Sequence, residues 1–458
     1  MWAVINEREG RMRRLRTGAF VAISLILTAS PAFAAAGGAA VAGPKLFGIP
    51  VDFFLFGATL LSVALFHHRT FTVATTGLAI IVVYKFIFTG FPPGPGVEGL
   101  LAHMWHERII LTNLLLLLLG FAVLSRHFED SGAPEVMPRY LPDNWLGPLA
   151  LLGMVWVVSG FLDNIAAALI GGVIAKHVFA RVHIGYLAAI VAASNAGGAG
   201  SVVGDTTTTM MWIDGVSPLD VLHAYIAASV AWVVFAIPLS LKQQAYSPIQ
   251  KHEEGGHKVD WGRIAIVGFI LVSAVGANAI ANIFAPDLLN IVPVIGLAVW
   301  AAILIGGLLR KPNLKVAADS LKGSLFLFAL VTCASLMPVA ALPPASWQTT
   351  FGLGFISSVF DNIPLTALAL KQGGFDWGLL AFAVGFGGSM VWFGSSAGVA
   401  ISNLYPEAKS VFKWIASAWW IIIAYVAGFF ALYLTLGWRP HEPHKTGAPS
   451  AITDDGGH

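Results

Sequence analysis

Charge is what this sequence has least of. Only 11% of its 458 residues are Asp, Glu, Lys or Arg, and 57% are hydrophobic. An average soluble domain is about 25% charged and about 45–50% apolar. The shortage excludes an ordinary soluble fold and predicts an all-α chain that crosses a membrane many times. The net charge of +2 offers no basic surface for nucleic acid. Cysteine is nearly absent: Cys333 stands alone, so neither an intrachain disulfide nor a multi-cysteine metal site can form. No nucleophile–base pair, nucleotide loop or metal-ligand cluster stands out, so nothing suggests an enzyme or a resident cofactor.

The N-terminus reads as a secretory signal. Arg8, Arg11, Arg13, Arg14 and Arg16 precede the apolar core TGAFVAISLILTAS, and SPAFAAAGG offers cleavage after Ala34. Residues 1–34 are therefore a signal peptide or, if uncleaved, a signal anchor. Either way the following chain starts on the periplasmic side.

About 20 helical residues span a bilayer core. Stretches of that kind lie near 50–66, 71–91, 107–125, 184–212, 217–241, 260–284, 288–309, 319–340, 376–403 and 414–437. Two more, 144–178 and 345–374, are too long for one span. If each is a re-entrant hairpin, most basic residues fall on the cytoplasmic side, among them Arg126, Lys176, Arg181, Lys242, Arg263 and Arg310. Lys45, Arg108, Lys371, Arg439 and Lys445 fall outside. That is the positive-inside asymmetry. The predicted plan is membrane repeat 1 (50–241), a cytoplasmic linker (242–259), membrane repeat 2 (260–437) and a disordered periplasmic tail (438–458). Each repeat holds about five spans plus a hairpin, with opposite starting sides.

The repeat is visible in the letters. LDNI (162–165) returns as FDNI (360–363). After each comes a glycine-broken span, SNAGGAGSVVGDTTTTMMW (194–212) and GFGGSMVWFGSSAGVAISN (385–403). Both read Gly-Gly, five residues, Gly, then a polar pair. The glycines are Gly197, Gly198 and Gly204 in one, Gly387, Gly388 and Gly394 in the other. The pairs are Asp205-Thr206 and Ser395-Ser396. Irregular backbone at membrane depth survives only where protein or a polar cavity satisfies it. Matched broken segments in two halves point to a transporter's binding site.

Asp163, Asp205 and Asp361 are carboxylates at that depth, where each costs about 2.5–3.5 kcal/mol on insertion scales. A desolvated carboxylate tends to hold a proton and a bound cation favours its charged form, so the two compete for one group. Asn164, Asn195 and Asn362 add carbonyl oxygens; Thr206, Thr207, Ser395 and Ser396 add hydroxyls. A hard cation wants several such oxygens. The plainer reading is that the acids and amides cap half-helices and the hydroxyls bond carbonyls in their own turn. Thr206–Thr209 cannot all face one site. Lys85 is the one base deep in a span; snorkelling to an interface is expected, a carboxylate partner being the alternative. His103, His106 and Glu107 read as a wet interface cluster, with pH sensing as the alternative. Asp376 and Glu407 are expected to face water.

NAGGAGSVVGDTTTTMMWI, DNIPLTALAL and GGSMVWFGSSAGVA together resemble NhaD-type sodium/proton antiporters of the ion transporter (citrate transporter-like) superfamily. The resemblance covers roughly residues 50–437. It implies two inverted repeats, exchange of Na⁺ or Li⁺ for H⁺ by alternating access, a homodimer, and a transport region that moves against a scaffold. It places the chain in a bacterial inner (cytoplasmic) membrane. One departure stands out. The family pattern has Trp and Pro in the first break, where this chain has Gly200 and Val202, which predicts a looser loop. Asp205 also has no acidic counterpart, because Ser395 stands in its place. The competing function is symport of a di- or tricarboxylate with Na⁺ or H⁺. Three Asp and no obvious Arg favour the cation.

Overall fold

The computed structural model describes residues 43–66, 69–250 and 258–441. The predicted signal segment and residues 442–458 of the predicted tail lie outside them. A small ribbon, β1 (Lys45–Leu46) and β2 (Ile49–Pro50), precedes the helices. The first half contains α1 (Val51–Leu65), α2 (Thr70–Tyr84, prolonged by a π-helical turn, Lys85–Thr89) and α3 (Gly96–Glu129). It continues with α4 (Leu146–Ser159), α5 (Asn164–Val178), α6 (Ile184–Gly198), α7 (Thr206–Ile213) and α8 (Ala224–Tyr246). The second half runs through α9 (Trp261–Phe284), α10 (Val294–Gly306), α11 (Lys315–Ser335) and α12 (Trp347–Ser357). Then come α13 (Asn362–Gln372), α14 (Trp377–Gly387), α15 (Ser396–Leu404), α16 (Val411–Ala418) and α17 (Trp420–Leu436).

Among the described residues, five helical segments are long and apolar enough to cross a membrane: 70–89, 96–129, 218–246, 261–281 and 315–335. The pair α16 and α17, bent by 60°, makes a sixth if counted as one. The chain is an all-α, multi-pass membrane protein. The remaining predicted spans differ from continuous crossings. Those near 50–66 and 288–309 form helices of 15 and 13 residues. Those at 184–212 and 376–403 are each split in two, into α6 and α7 and into α14 and α15, with a glycine-containing stretch between the two limbs.

The segments 144–178 and 345–374 each fold as two helices that turn back at the Asp-Asn pair. Gly147, at the start of α4, lies against Ile249, and Phe179, just past α5, bridges to the same Ile249. Both ends of the first hairpin therefore meet at the C-terminal end of α8. In the second, the Gln372 amide at the end of α13 donates to the Pro343 carbonyl, 2.7 Å, just ahead of α12. Gly378, six residues past Gln372, lies against Asp220 and His223, at the opposite end of α8.

Two helices form the centre. Nearly every residue of α6 and every residue of α14 is buried. Their sequences, IGYLAAIVAASNAGG and WGLLAFAVGFG, are rich in Ala and Gly, which let neighbouring backbones approach closely. The contacts repeat between halves. Ser159 Oγ donates to Ser194 O at 2.6 Å, and Ser357 Oγ to Val384 O at 2.6 Å. A Cβ on Gly197 would lie 2.0 Å from Trp156 O, and one on Gly387 2.3 Å from Gly354 O. Gly204 and Gly394 face Ser159 O and Ser358 O in the same way, at 2.1 and 2.4 Å. Any side chain there would force the broken helix off the hairpin limb.

Candidate functional site

Four helix N-termini open the site: those of α5, α7, α13 and α15. Each has a polar N-cap. Asp163 accepts from Ile165 N (3.2 Å), Asp205 from Thr207 N (3.2 Å), Asp361 from Ile363 N (3.1 Å) and Ser395 from Gly398 N (3.2 Å). A helix N-terminus carries about half a positive charge and orphan N–H groups. The caps satisfy some of those groups. They also place fixed carboxylates at three of four positive ends. An anion approaching these termini would meet built-in negative charge.

The capping interpretation therefore holds for all three Asp, but it does not exhaust Asp205. Its side chain is 2% exposed, and its Oδ2 is buried without a hydrogen-bond partner. Thr207 Oγ1 and Asn362 Nδ2 are in the same condition. Buried polar atoms without partners are uncommon, since each forfeits about 1–3 kcal/mol of solvation. Here two of the three are oxygens.

A side-chain network crosses between the halves. Asn164 Nδ2 donates to Asn195 Oδ1 at 3.1 Å and reaches Asp205 Oδ1 at 3.5 Å. Asn195 Nδ2 donates onward to Ser389 Oγ (2.9 Å) and Ser395 Oγ (3.2 Å). Ser396 Oγ donates to Asp361 Oδ2 at 3.0 Å. Ser389 escaped the sequence reading, although it follows the glycine pair of the second break directly. Thr208 and Thr209 turn away from the cavity. Their hydroxyls donate to Ser201 O (2.5 Å) and Val202 O (2.8 Å), tying the loop that leads to Asp205.

A cavity of about 500 Å³ adjoins this network, lined by Asp163, Asn164, Asp205, Thr206, Asn362 and Ser396. Arg126 and Glu129, at the C-terminal end of α3, also line it. Among the described residues Arg126 is the only base on its wall, and it is committed to Glu129 (3.2 Å) and Asp130 (2.9 Å). Asp361 instead lines a separate cavity of about 220 Å³, with Ser396 shared between the two.

Three other expectations are corrected. Lys85 does not snorkel: it pairs with Asp52 at 2.9 Å, the two being 5% and 2% exposed. The first turn of α1 and the π-helical turn after α2 bring them together, and burial makes the pairing obligatory. His103 is not wet. It is buried, and its Nε2 shares a 2.9 Å hydrogen bond with Ser335 Oγ; Lys371 Nζ donates to Ser335 O. Asp376 is buried as the N-cap of α14 (Leu379 N, 3.0 Å) and also accepts from Arg439 N (2.9 Å). Glu407 is exposed as expected.

Fold and site together define a multi-pass membrane protein with a carboxylate-lined polar cavity where broken helices meet. No family model matches the chain. It is 27% identical over 297 residues to sodium/proton antiporter 1 of Arabidopsis thaliana, covering 55% of this chain and 50% of that protein. It is 28% identical over 300 residues to the Na(+)/H(+) antiporter NhaD of Vibrio cholerae, covering 54% and 60%. Against the NhaD of Vibrio parahaemolyticus it is 24% identical over 357 residues, covering 66% and 84%. The matches span about half to two-thirds of the first relatives' own length. The chain is similar to NhaD-type antiporters, as its motifs led us to expect.

Proposed function

We propose that this protein is a secondary active transporter that exchanges Na⁺ or Li⁺ for H⁺. The observation that carries the reading is the wall of the larger cavity. It bears Asp163, Asp205 and Glu129, and its one base is already held by two acids. Among the described residues a di- or tricarboxylate would find no uncommitted cation on that wall, and repulsion from the caps. A small hard cation would find oxygens, including the unpartnered Asp205 Oδ2. Proton and cation compete for that carboxylate, and the competition suffices to couple their fluxes.

The ion site comprises Asp163, Asn164, Asn195, Asp205, Thr206, Thr207, Asn362, Ser395 and Ser396, with Asp361 beside it. The architecture we infer is an inverted repeat, α1–α8 against α9–α17. The hairpin bases at opposite ends of α8 and the paired glycine and serine contacts support it. With basic residues placed inside, the larger cavity opens at the cytoplasmic end of α3, so this conformation faces inward. Alternating access, the inner membrane and a homodimer belong to the same proposal. The test uses purified protein in liposomes with an internal pH dye, challenged with Na⁺, Li⁺, K⁺ and citrate in turn. Dye response to Na⁺ or Li⁺ and none to citrate supports antiport. Saturable citrate uptake with no cation-driven proton movement contradicts it.

A further inference from the structure

The loop between α6 and α7, residues 199–205, carries Asp205 into the site. Tyr225, one residue into α8, touches this loop where a side chain is missing. A Cβ on Gly200 would lie 2.5 Å from two carbons of the Tyr225 ring, so the ring occupies the volume a residue at 200 would claim. The Tyr225 hydroxyl donates to Gly197 O at 3.0 Å. That carbonyl is one the break leaves open: Ser201 N, its helical partner four residues on, bonds Gly198 O instead. On its other side the ring packs on Trp156 of α4, with centroids 5.3 Å apart. The hydroxyl also lies 3.2 Å from where a Cβ on Gly160 would stand, at the turn of the first hairpin.

One side chain therefore meets the broken-helix loop, the hairpin limb and the hairpin turn. Asp163 and Asn164 follow that turn, and Asp205 ends that loop. Their separation is set by what fills the space between. We propose that Tyr225 is a positioning residue that fixes the spacing between the Asp205 loop and the Asp163-Asn164 tip, and so sets the protein's preference for small cations over K⁺. Selectivity among hard cations follows cavity size and ligand rigidity. A cage held at one spacing rejects a larger ion; a loosened cage accepts both. This inference rests on the antiport reading above and adds a residue that does not itself line the cavity.

The experiment uses the full chain in liposomes and measures two quantities that fail separately. The first is exchange with Na⁺ and with K⁺. Tyr225→Ala should raise half-saturating Na⁺ on the order of tenfold, as small misplacements at a site do. It should narrow the Na⁺-over-K⁺ preference and leave the maximal rate within about twofold. Tyr225→Phe keeps the ring and loses only the Gly197 bond, and should show a smaller shift the same way. The second quantity does not depend on transport. Val203 lines the cavity, and the native Cys333 is buried. Maleimide labelling of Val203→Cys should be several-fold faster with Tyr225→Ala than without it. Gly200→Phe added to Tyr225→Ala supplies a ring from the other side of the same volume, and should slow labelling and recover Na⁺ preference. Unchanged labelling and unchanged ion preference in Tyr225→Ala would overturn the proposal. So would a double variant no better than Tyr225→Ala alone. If wild type moves no protons with any cation while labelling still responds to Tyr225, the antiport reading fails and the loop contact stands.

Discussion

In the first half of the chain Asp205 caps α7 through Thr207 N; in the second Ser395 caps α15 through Gly398 N. Both follow a glycine packed on a hairpin carbonyl, and both close a broken helix whose first limb is buried on nearly every side. As structure the two positions are equivalent, since a serine hydroxyl and an aspartate oxygen cap about equally well. As chemistry they are not. Only Asp205 can hold a proton or a full negative charge, and only its second oxygen is left without a partner. The two caps match in backbone geometry, but a carboxylate stands at only one of the two positions.

The largest effect should separate these two positions. Asp205→Asn keeps cap acceptance through its amide oxygen but cannot exchange a proton. It should fold, within about 1 kcal/mol, and lose Na⁺-driven proton flux on the order of 10²-fold or more. Ser395→Ala removes a cap and an Asn195 partner and should cost flux on the order of tenfold or less. Flux in liposomes and thermal unfolding, measured on both variants, separate chemistry from folding. Equal flux loss in the two would erase the distinction.

The hairpin tips offer a second comparison. Asp163 shares the larger cavity with Asp205, whereas Asp361 is held by Ser396 and lines the smaller one. Asp163→Asn should therefore impair exchange several-fold more than Asp361→Asn. The reverse order would move the coupling carboxylate to the second half.

Where the halves match, variants should match too. Ser159→Ala and Ser357→Ala each remove one buried 2.6 Å bond to a central-helix carbonyl. Each should cost about 1 kcal/mol of unfolding free energy. A gap above about 1 kcal/mol between them would show that the paired contacts are not energetically equivalent.

The smallest effect concerns the exposed junction of the halves. Asp260 caps α9 and pairs with Arg310 at 2.9 Å, and this bond holds its carboxyl below the usual carboxylate range. A lowered folded-state pKa stabilises above the ordinary value, near pH 4, and the contribution is lost as pH falls through the lowered value. Asp260→Asn should reduce the melting temperature slightly at neutral pH and flatten its decline in acid. An unchanged acid limb would show the pair contributes nothing.

Much of this was legible because charge is so scarce here. An Asp-Asn pair in a run of Val, Leu and Ala is conspicuous, and its return two hundred residues on marked both hairpin turns and both broken helices. Small polar residues were harder to rank. Ser389 looks like any serine beside glycine until Asn195 is seen to bond it. Within Thr206–Thr209 it is the bonds of Thr208 and Thr209 to loop carbonyls that show which hydroxyls turn from the cavity. Lys85 and Asp52 lie 33 residues apart, and no local pattern foretells which acid meets a buried base. Gly200 suggested a loosened loop because sequence shows a missing side chain, not the Tyr225 ring that fills its place.

We predict that Asp205 carries the proton that the cation displaces. The most direct measurement is proton release when NaCl is added to purified protein in weakly buffered solution near neutral pH, with choline chloride as the ionic-strength control. Wild type should release protons saturably with Na⁺, Ser395→Ala should still do so at higher Na⁺, and Asp205→Asn should release none. Saturable release from well-folded Asp205→Asn, equal to that of wild type, would leave Asp205 a helix cap and no more.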